Sequence, residues 1–179
     1  MALLETSNWR EMNYVAIKDM GALTVSSKSL TASNTTAVVP IFTVTGQVKV
    51  TRIYGIVTTT LVSNCTAAYW RLNDGSVQND ITLSTGTNIS TFAAGSFIGR
   101  TALVASTIIG KNATSGQVQD IAAATAKNIL QPFIAGQAVG GATTNIEFVY
   151  TTTNTPISGA IDFYLRWVPL APNSYVTAL

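Results

Sequence analysis

Residues 46–62, GQVKVTRIYGIVTTTLV, form the longest unbroken run of β-favouring side chains in the chain. Valine, isoleucine, threonine and tyrosine suit a pleated, half-buried surface, so the run reads as a central strand. At about 3.3 Å per residue it would reach about 55 Å, well beyond an ordinary strand. A strand of that length must bend or serve two sheets. The apolar pattern agrees: Val48 and Val50 share one parity, whereas Ile53, Val57 and Leu61 share the other. A bulge between positions 51 and 55 would turn both sets inward, with Gly55 the expected hinge.

The end of the chain repeats the two-residue period more plainly. Ile161, Phe163, Leu165 and Trp167 alternate with Asp162, Tyr164 and Arg166, and Ile146, Phe148 and Tyr150 alternate with Glu147 and Val149. The stretch between them holds Asn154, Pro156 and Gly159, which predicts an antiparallel hairpin. To place both apolar sets on one face, paired positions must sum to an odd number, which puts Phe148 opposite Phe163 and Ile146 opposite Leu165.

Further strands are expected over residues 22–30, 37–45, 67–72, 77–83 and 101–109, with Pro40 marking an edge or a bulge. Asn73-Asp74-Gly75 supplies a turn between two of them, because these residues tolerate positive φ. Residues 117–128, opened by Asp120 and rich in alanine, form the one expected helix of the body. The fold class that follows is all-β: an antiparallel two-sheet β-sandwich, jelly-roll-like, with at most one short helix in a connection. Residues 1–20 read as an N-terminal arm and 21–179 as the sandwich domain.

Composition narrows the chemistry. Charged residues make up 10% of the chain against about 25% in an ordinary soluble domain, so much of its surface is expected to be covered by other subunits. The ten Lys and Arg residues are scattered singly along the sequence, which argues against nucleic acid and anionic membranes as partners. No apolar run reaches the roughly 20 residues of a membrane helix, and residues 1–10 lack the pattern of a signal peptide, so synthesis in a reducing cytoplasm is expected. Histidine is absent, which removes the commonest general base and metal ligand. The lone Cys65 cannot form an internal disulfide and reads as a small buried hydrophobe.

No motif restores a catalytic or binding inventory. The oxygen-rich NDGSVQND at 73–80 lacks the residue order of an EF-hand loop and reads as a turn. Ile109-Gly110-Lys111 superficially resembles a phosphate loop, but Ala105 stands where its first glycine belongs and Asn112 follows the lysine. No catalytic residue, cofactor site or metal site is therefore assigned. The candidate contacts are apolar: Trp9, Met12 and Tyr14 on the arm, and the adjacent Tyr69 and Trp70, of which one must point out of the core unless another layer covers it.

Two segments, TGQVKVTRIYGIVTTTL and GAIDFYLRWVPLAPNSYVTA, together with the order G-x-V-x-V-T-x-I-Y-G-x-V-T-T followed by W-V-P-L, resemble a family of small structural proteins of tailed bacteriophages. The likeness covers residues 38–179, and the chain departs from it in a longer N-terminal arm and an alanine-rich 117–142 region. The resemblance implies a virion component on the capsid surface, of decoration or cement type, with no catalytic residues. The partners it implies are copies of the chain itself, with a trimer favoured, and the major capsid protein or other virion subunits. The alternatives are a head fibre, tail or main capsid subunit, and a carbohydrate-binding β-sandwich that stacks sugars on Tyr69, Trp70 or Tyr175.

Overall fold

The computed structural model describes residues 21–32, 35–62, 65–82, 84, 87–100, 108–111, 133–136, 143–153 and 156–179. The arm at 1–20, with Trp9, Met12 and Tyr14, and the expected helix at 117–128 lie outside the described residues. Among the described residues every regular element is a strand: β1 (Ala22–Leu30), β2 (Thr36–Thr45), β3 (Gln47–Val62), β4 (Cys65–Asn73), β5 (Gln78–Asp80), β6 (Phe97–Arg100), β7 (Ile108–Lys111), β8 (Phe133–Gly136), β9 (Thr143–Thr152), β10 (Ser158–Pro169) and β11 (Tyr175–Ala178).

These strands build two antiparallel sheets that do not close into a barrel. The first, sheet A, has the order β1-β10-β3-β6-β7; sheet B has the order β11-β2-β9-β4-β5. The pairs are nested: β1 with β10, β2 with β9, β3 with β6, and β4 with β5, each outer pair enclosing the next along the chain. Because β1 to β4 alternate between the sheets, and β9 and β10 alternate back, the fold is a jelly-roll-like sandwich. The strands β7, β8 and β11 extend this nested set at its margins.

The long strand β3 is the axis of sheet A. It pairs with β10 along one edge, and its other edge is shared by β8 at Gln47–Val50 and by β6 at Tyr54–Ile56. The bend expected between 51 and 55 is a bulge at Thr51: Arg166 pairs with Arg52 while Trp167 pairs with Val50, so Thr51 is the extra residue. Its hydroxyl donates to the Arg166 carbonyl at 3.2 Å. The slip changes the inward parity, and Val48 and Val50 before it are buried together with Ile53, Val57 and Leu61 after it. Gly55 is not the hinge. Its missing side chain makes room for β10, since a Cβ there would stand 2.9 Å from Ile161 Cγ2 and 3.3 Å from Phe163 Cδ1. A second expected bulge lies in β2, where Pro40 pairs with Glu147 and Phe42 with Ile146, leaving Ile41 extra, and both Ile41 and Phe42 are buried.

The C-terminal hairpin does not form. β9 belongs to sheet B and β10 to sheet A, so the connection between them is an arch across the sandwich. Ile157 closes that arch from inside, buried and donating its amide to the Ala32 carbonyl at 2.9 Å. Gly159, at φ 141°, lets the chain pass over β3 where a Cβ would meet Leu61 and the Thr60 carbonyl. The inward residues are nevertheless as expected: Ile146, Phe148, Ile161, Phe163, Leu165 and Trp167 are all buried. Phe148 faces Phe163 between the sheets, with ring centroids 4.9 Å apart, and Trp70 and Tyr150 flank Phe148 at 6.0 Å each. Burying each such side chain contributes about 1.5–3 kcal/mol, and this aromatic cluster is the centre of the core.

Candidate functional site

Strand alternation places every second residue of β1, β10, β3 and β6 on the outer face of sheet A, and the register aligns them in rows. One row runs Leu23, Arg166, Arg52; the next runs Val25, Tyr164, Tyr54, Gly99; a third runs Ser27, Asp162, Ile56, Phe97. The Tyr164 and Tyr54 rings stack 4.8 Å apart at 6°, and Phe97 adds to the other side of Tyr54 at 5.8 Å and 23°. Phe97 reaches that position because Gly99 beside it has no side chain, and a Cβ there would collide with the Phe97 ring.

Beside this aromatic ladder is a cavity of about 200 Å³, lined by Arg52, Ile53, Tyr54, Phe97, Gly99, Arg100 and Arg166. Arg52 and Arg166 are direct cross-strand partners. Arg100 is 4% exposed, and burial lowers its pKa below the usual guanidinium range, although arginine stays charged at neutral pH. Arginine and aromatic residues thus make up most of the cavity lining. Among the described residues that line it there is no carboxylate, serine, threonine or cysteine.

The other polar cluster is closed on itself. On the outer face of sheet B, Glu147 accepts from Arg71 Nε at 2.6 Å and from Asn73 Nδ2 at 2.9 Å, while Arg71 Nη1 donates to Gln78 at 2.7 Å. Both Glu147 oxygens are engaged, so this network ties β4, β5 and β9 together and leaves little for a ligand. The Asp74 carboxylate is likewise held by its own turn, accepting from the Ser76 and Val77 amides at 2.9 and 2.7 Å, which lowers its pKa. Gly99 and Gly110 lie in the paired strands β6 and β7, not in a loop that opens a helix. Cys65 is buried, and desolvation pushes its pKa up to about 12, so the thiol is inert at neutral pH. Among the described residues no group of three or more His, Cys, Asp or Glu side chains converges as metal ligands would.

No family model, curated protein or solved structure matches this chain.

Of the contacts expected from sequence, Trp70 is fully enclosed in the core, so it is neither a docking residue nor a stacking platform. Its neighbour Tyr69 is the outward member of the pair, half-buried beside Val149 of β9. The carbohydrate alternative thereby loses its tryptophan and keeps Tyr175, which is 48% exposed on the marginal strand β11. Sequence reading missed the arginine and aromatic recess because its residues come from separate segments. One signal was present: Arg52-Ile53-Tyr54 and Tyr164-Leu165-Arg166 are mirror images, and antiparallel pairing with a constant sum superposes them.

Proposed function

We propose that the chain is a non-enzymatic structural subunit of a virion, a capsid decoration or cement protein that acts by assembling with its own copies and with the capsid lattice. The observation that carries this reading is the exposed apolar side chains on a surface poor in charge. Leu23, Val25, Val38, Val62, Val77, Ile134, Leu170 and Tyr175 are between 40% and 57% exposed, in a chain with only 10% charged residues. Leu23 and Val25 sit on β1, which is nine residues long and is the edge of sheet A among the described residues. A long edge with apolar side chains favours association with another chain.

The resemblance of residues 38–179 to small phage structural proteins supplies the setting, the capsid surface, and the trimer supplies a closed arrangement that hides the same patch on each copy. Trp9, Met12 and Tyr14 add apolar groups at residues 1–20, a segment whose role in this reading is assembly. A head fibre, tail or main capsid subunit would use the same surfaces in a different place.

Quantitative protein analysis of purified particles tests the reading. A decoration protein is present at a high, fixed copy number relative to the major capsid protein. Absence from particles, or a copy number that varies between preparations, would overturn it.

A further inference from the structure

We infer that β1 is a self-association edge, on which a second copy of the chain lays its own β1 antiparallel, with Val25 opposite Val25 on the two-fold axis. The inference rests on the assembly reading for the kind of partner and names a surface through which two copies meet.

Among the described residues, β1 is a long edge without a guard. The other strands at sheet margins are short, with three residues in β5 and four each in β7, β8 and β11. β1 has nine, and it pairs with β10 residue for residue without a bulge. Sheet edges are ordinarily blunted by short length, proline, bulges or an exposed lysine, because their unpaired N–H and C=O groups otherwise take up another strand. β1 contains no proline, and its single charge is Lys28. That lysine is drawn away from the edge: its Nζ donates to the Leu179 carbonyl at 2.6 Å, and the Leu179 amide donates to the Ile41 carbonyl of β2 at 3.1 Å. Leu23 and Val25 stand 49% and 40% exposed on the outer face.

The side chains select both the occupant and its register. Outer-face residues of one strand must meet outer-face residues of the other, so paired positions of the two copies sum to an even number. Centring the pair on Val25 joins residues 22–28 of both copies and sets Leu23 against Ser27 of the second copy. Carried through β10 and β3, this aligns the row of Leu23, Arg166 and Arg52 with the row of Ser27, Asp162 and Ile56 of the second copy. A basic row thus meets an acidic one on each side of the axis, and these fields are complementary whatever the charged groups also touch within their own copy. The row between them reads Tyr164, Val25, Val25, Tyr164, an apolar strip across the junction. Centres at Leu23 or Ser27 would face like-charged rows with each other, and a centre at Lys28 would oppose two lysines. Centres at Thr24 or Ser26 bring the basic row beside no carboxylate.

The contact is isologous, each copy supplying the same residues, and it adds to the threefold contact of a trimer without replacing it. One strand edge is small beside the roughly 1,200–2,000 Å² of a stable interface, so the pairing acts between copies already held side by side.

Disulfide trapping in the full chain tests the inference. Directly opposed residues of antiparallel strands have Cα atoms about 4.5–5.5 Å apart, within the span of a disulfide. Val25→Cys should therefore give a covalent dimer under mild oxidation. Its yield should be at least fivefold that of Leu23→Cys or Ser27→Cys alone, whose equivalent positions lie about 14 Å apart in this register. An equal mixture of Leu23→Cys and Ser27→Cys should cross-link as a heterodimer, an independent report of the same register. The wild type, whose Cys65 is buried, should give no dimer. Thermal melting identifies the folded variants. A folded Val25→Cys that gives no dimer, a mixture that gives no heterodimer, or a yield from Leu23→Cys or Ser27→Cys equal to that of Val25→Cys would each overturn the pairing. Sedimentation of the wild type reads the assembly reading separately. A closed oligomer without the Val25→Cys dimer defeats the edge pairing alone, and a strict monomer with that dimer defeats the trimer and leaves the pairing standing.

Discussion

Phe148 and Phe163 meet at 4.9 Å with 49° between their ring planes, yet they belong to different sheets of the sandwich. Each ring is fully buried, so the pair joins the sheets at the centre of the core. Replacing either by alanine should cost about 3–5 kcal/mol. Because the two share one contact, the double substitution should cost less than the sum by about 0.5–1.5 kcal/mol. Urea unfolding of the two single variants and the double variant measures this coupling, and strict additivity would contradict the packing.

Gly55 should tolerate no side chain. A Cβ at this position would stand 2.9 Å from Ile161 Cγ2 and 3.3 Å from Phe163 Cδ1, on the inward face where nothing can move into solvent. Gly55→Ala is expected to destabilise by about 1–3 kcal/mol through overpacking. An unchanged unfolding midpoint would mean that β10 does not lie against β3 in this register.

The two sheet faces should differ in their response to loss of a charge. Arg71 and Glu147 form a largely buried ion pair, with side-chain exposures of 12% and 4%, and removing the Glu147 carboxylate strands Arg71 and Asn73. Glu147→Ala should therefore cost about 3 kcal/mol or more. Arg52 is exposed, so Arg52→Gln should leave stability within about 0.5 kcal/mol of the wild type. Denaturation of both variants in low salt checks the contrast, and a large loss from Arg52→Gln would show that the arginine is structural.

Cys65 sets a high-pH limit. Its folded pKa is raised to about 12, whereas the unfolded thiol ionises near pH 9. Below that unfolded value the thiol is neutral in both states and its burial contributes fully. Between about pH 9 and 12 the unfolded chain gains by ionising and the folded chain does not, so stability falls as pH rises. Replacing Cys65 by alanine should flatten this part of the pH–stability curve. A thiol reagent at pH 8 should label the folded protein far more slowly than the unfolded chain, and equal rates would contradict the burial.

Much of the architecture was legible because burial writes a two-residue period into strands. β1 matches its expected bounds, and the parity change inside β3 located the Thr51 bulge to within a few residues. The partner of β9 was not legible, for a physical reason. Inward parity says which side chains face the core, and Phe148 and Phe163 satisfy it equally as cross-strand neighbours or as opposing residues of two sheets. Choosing between these needs the long-range pairing of β9 with β2 and β4, which no local signal encodes. The recess was hidden in the same way, since Arg52 and Arg166, like Tyr54 and Tyr164, become neighbours only after β3 and β10 have paired.

In the proposed function this sandwich works by associating through its low-charge, apolar surface. Sedimentation equilibrium of the full chain at tens of micromolar tests it most directly. The account predicts a closed oligomer of fixed size, with a trimer favoured, that persists in moderate salt because apolar contacts are little screened. A strict monomer across the whole concentration range would contradict it.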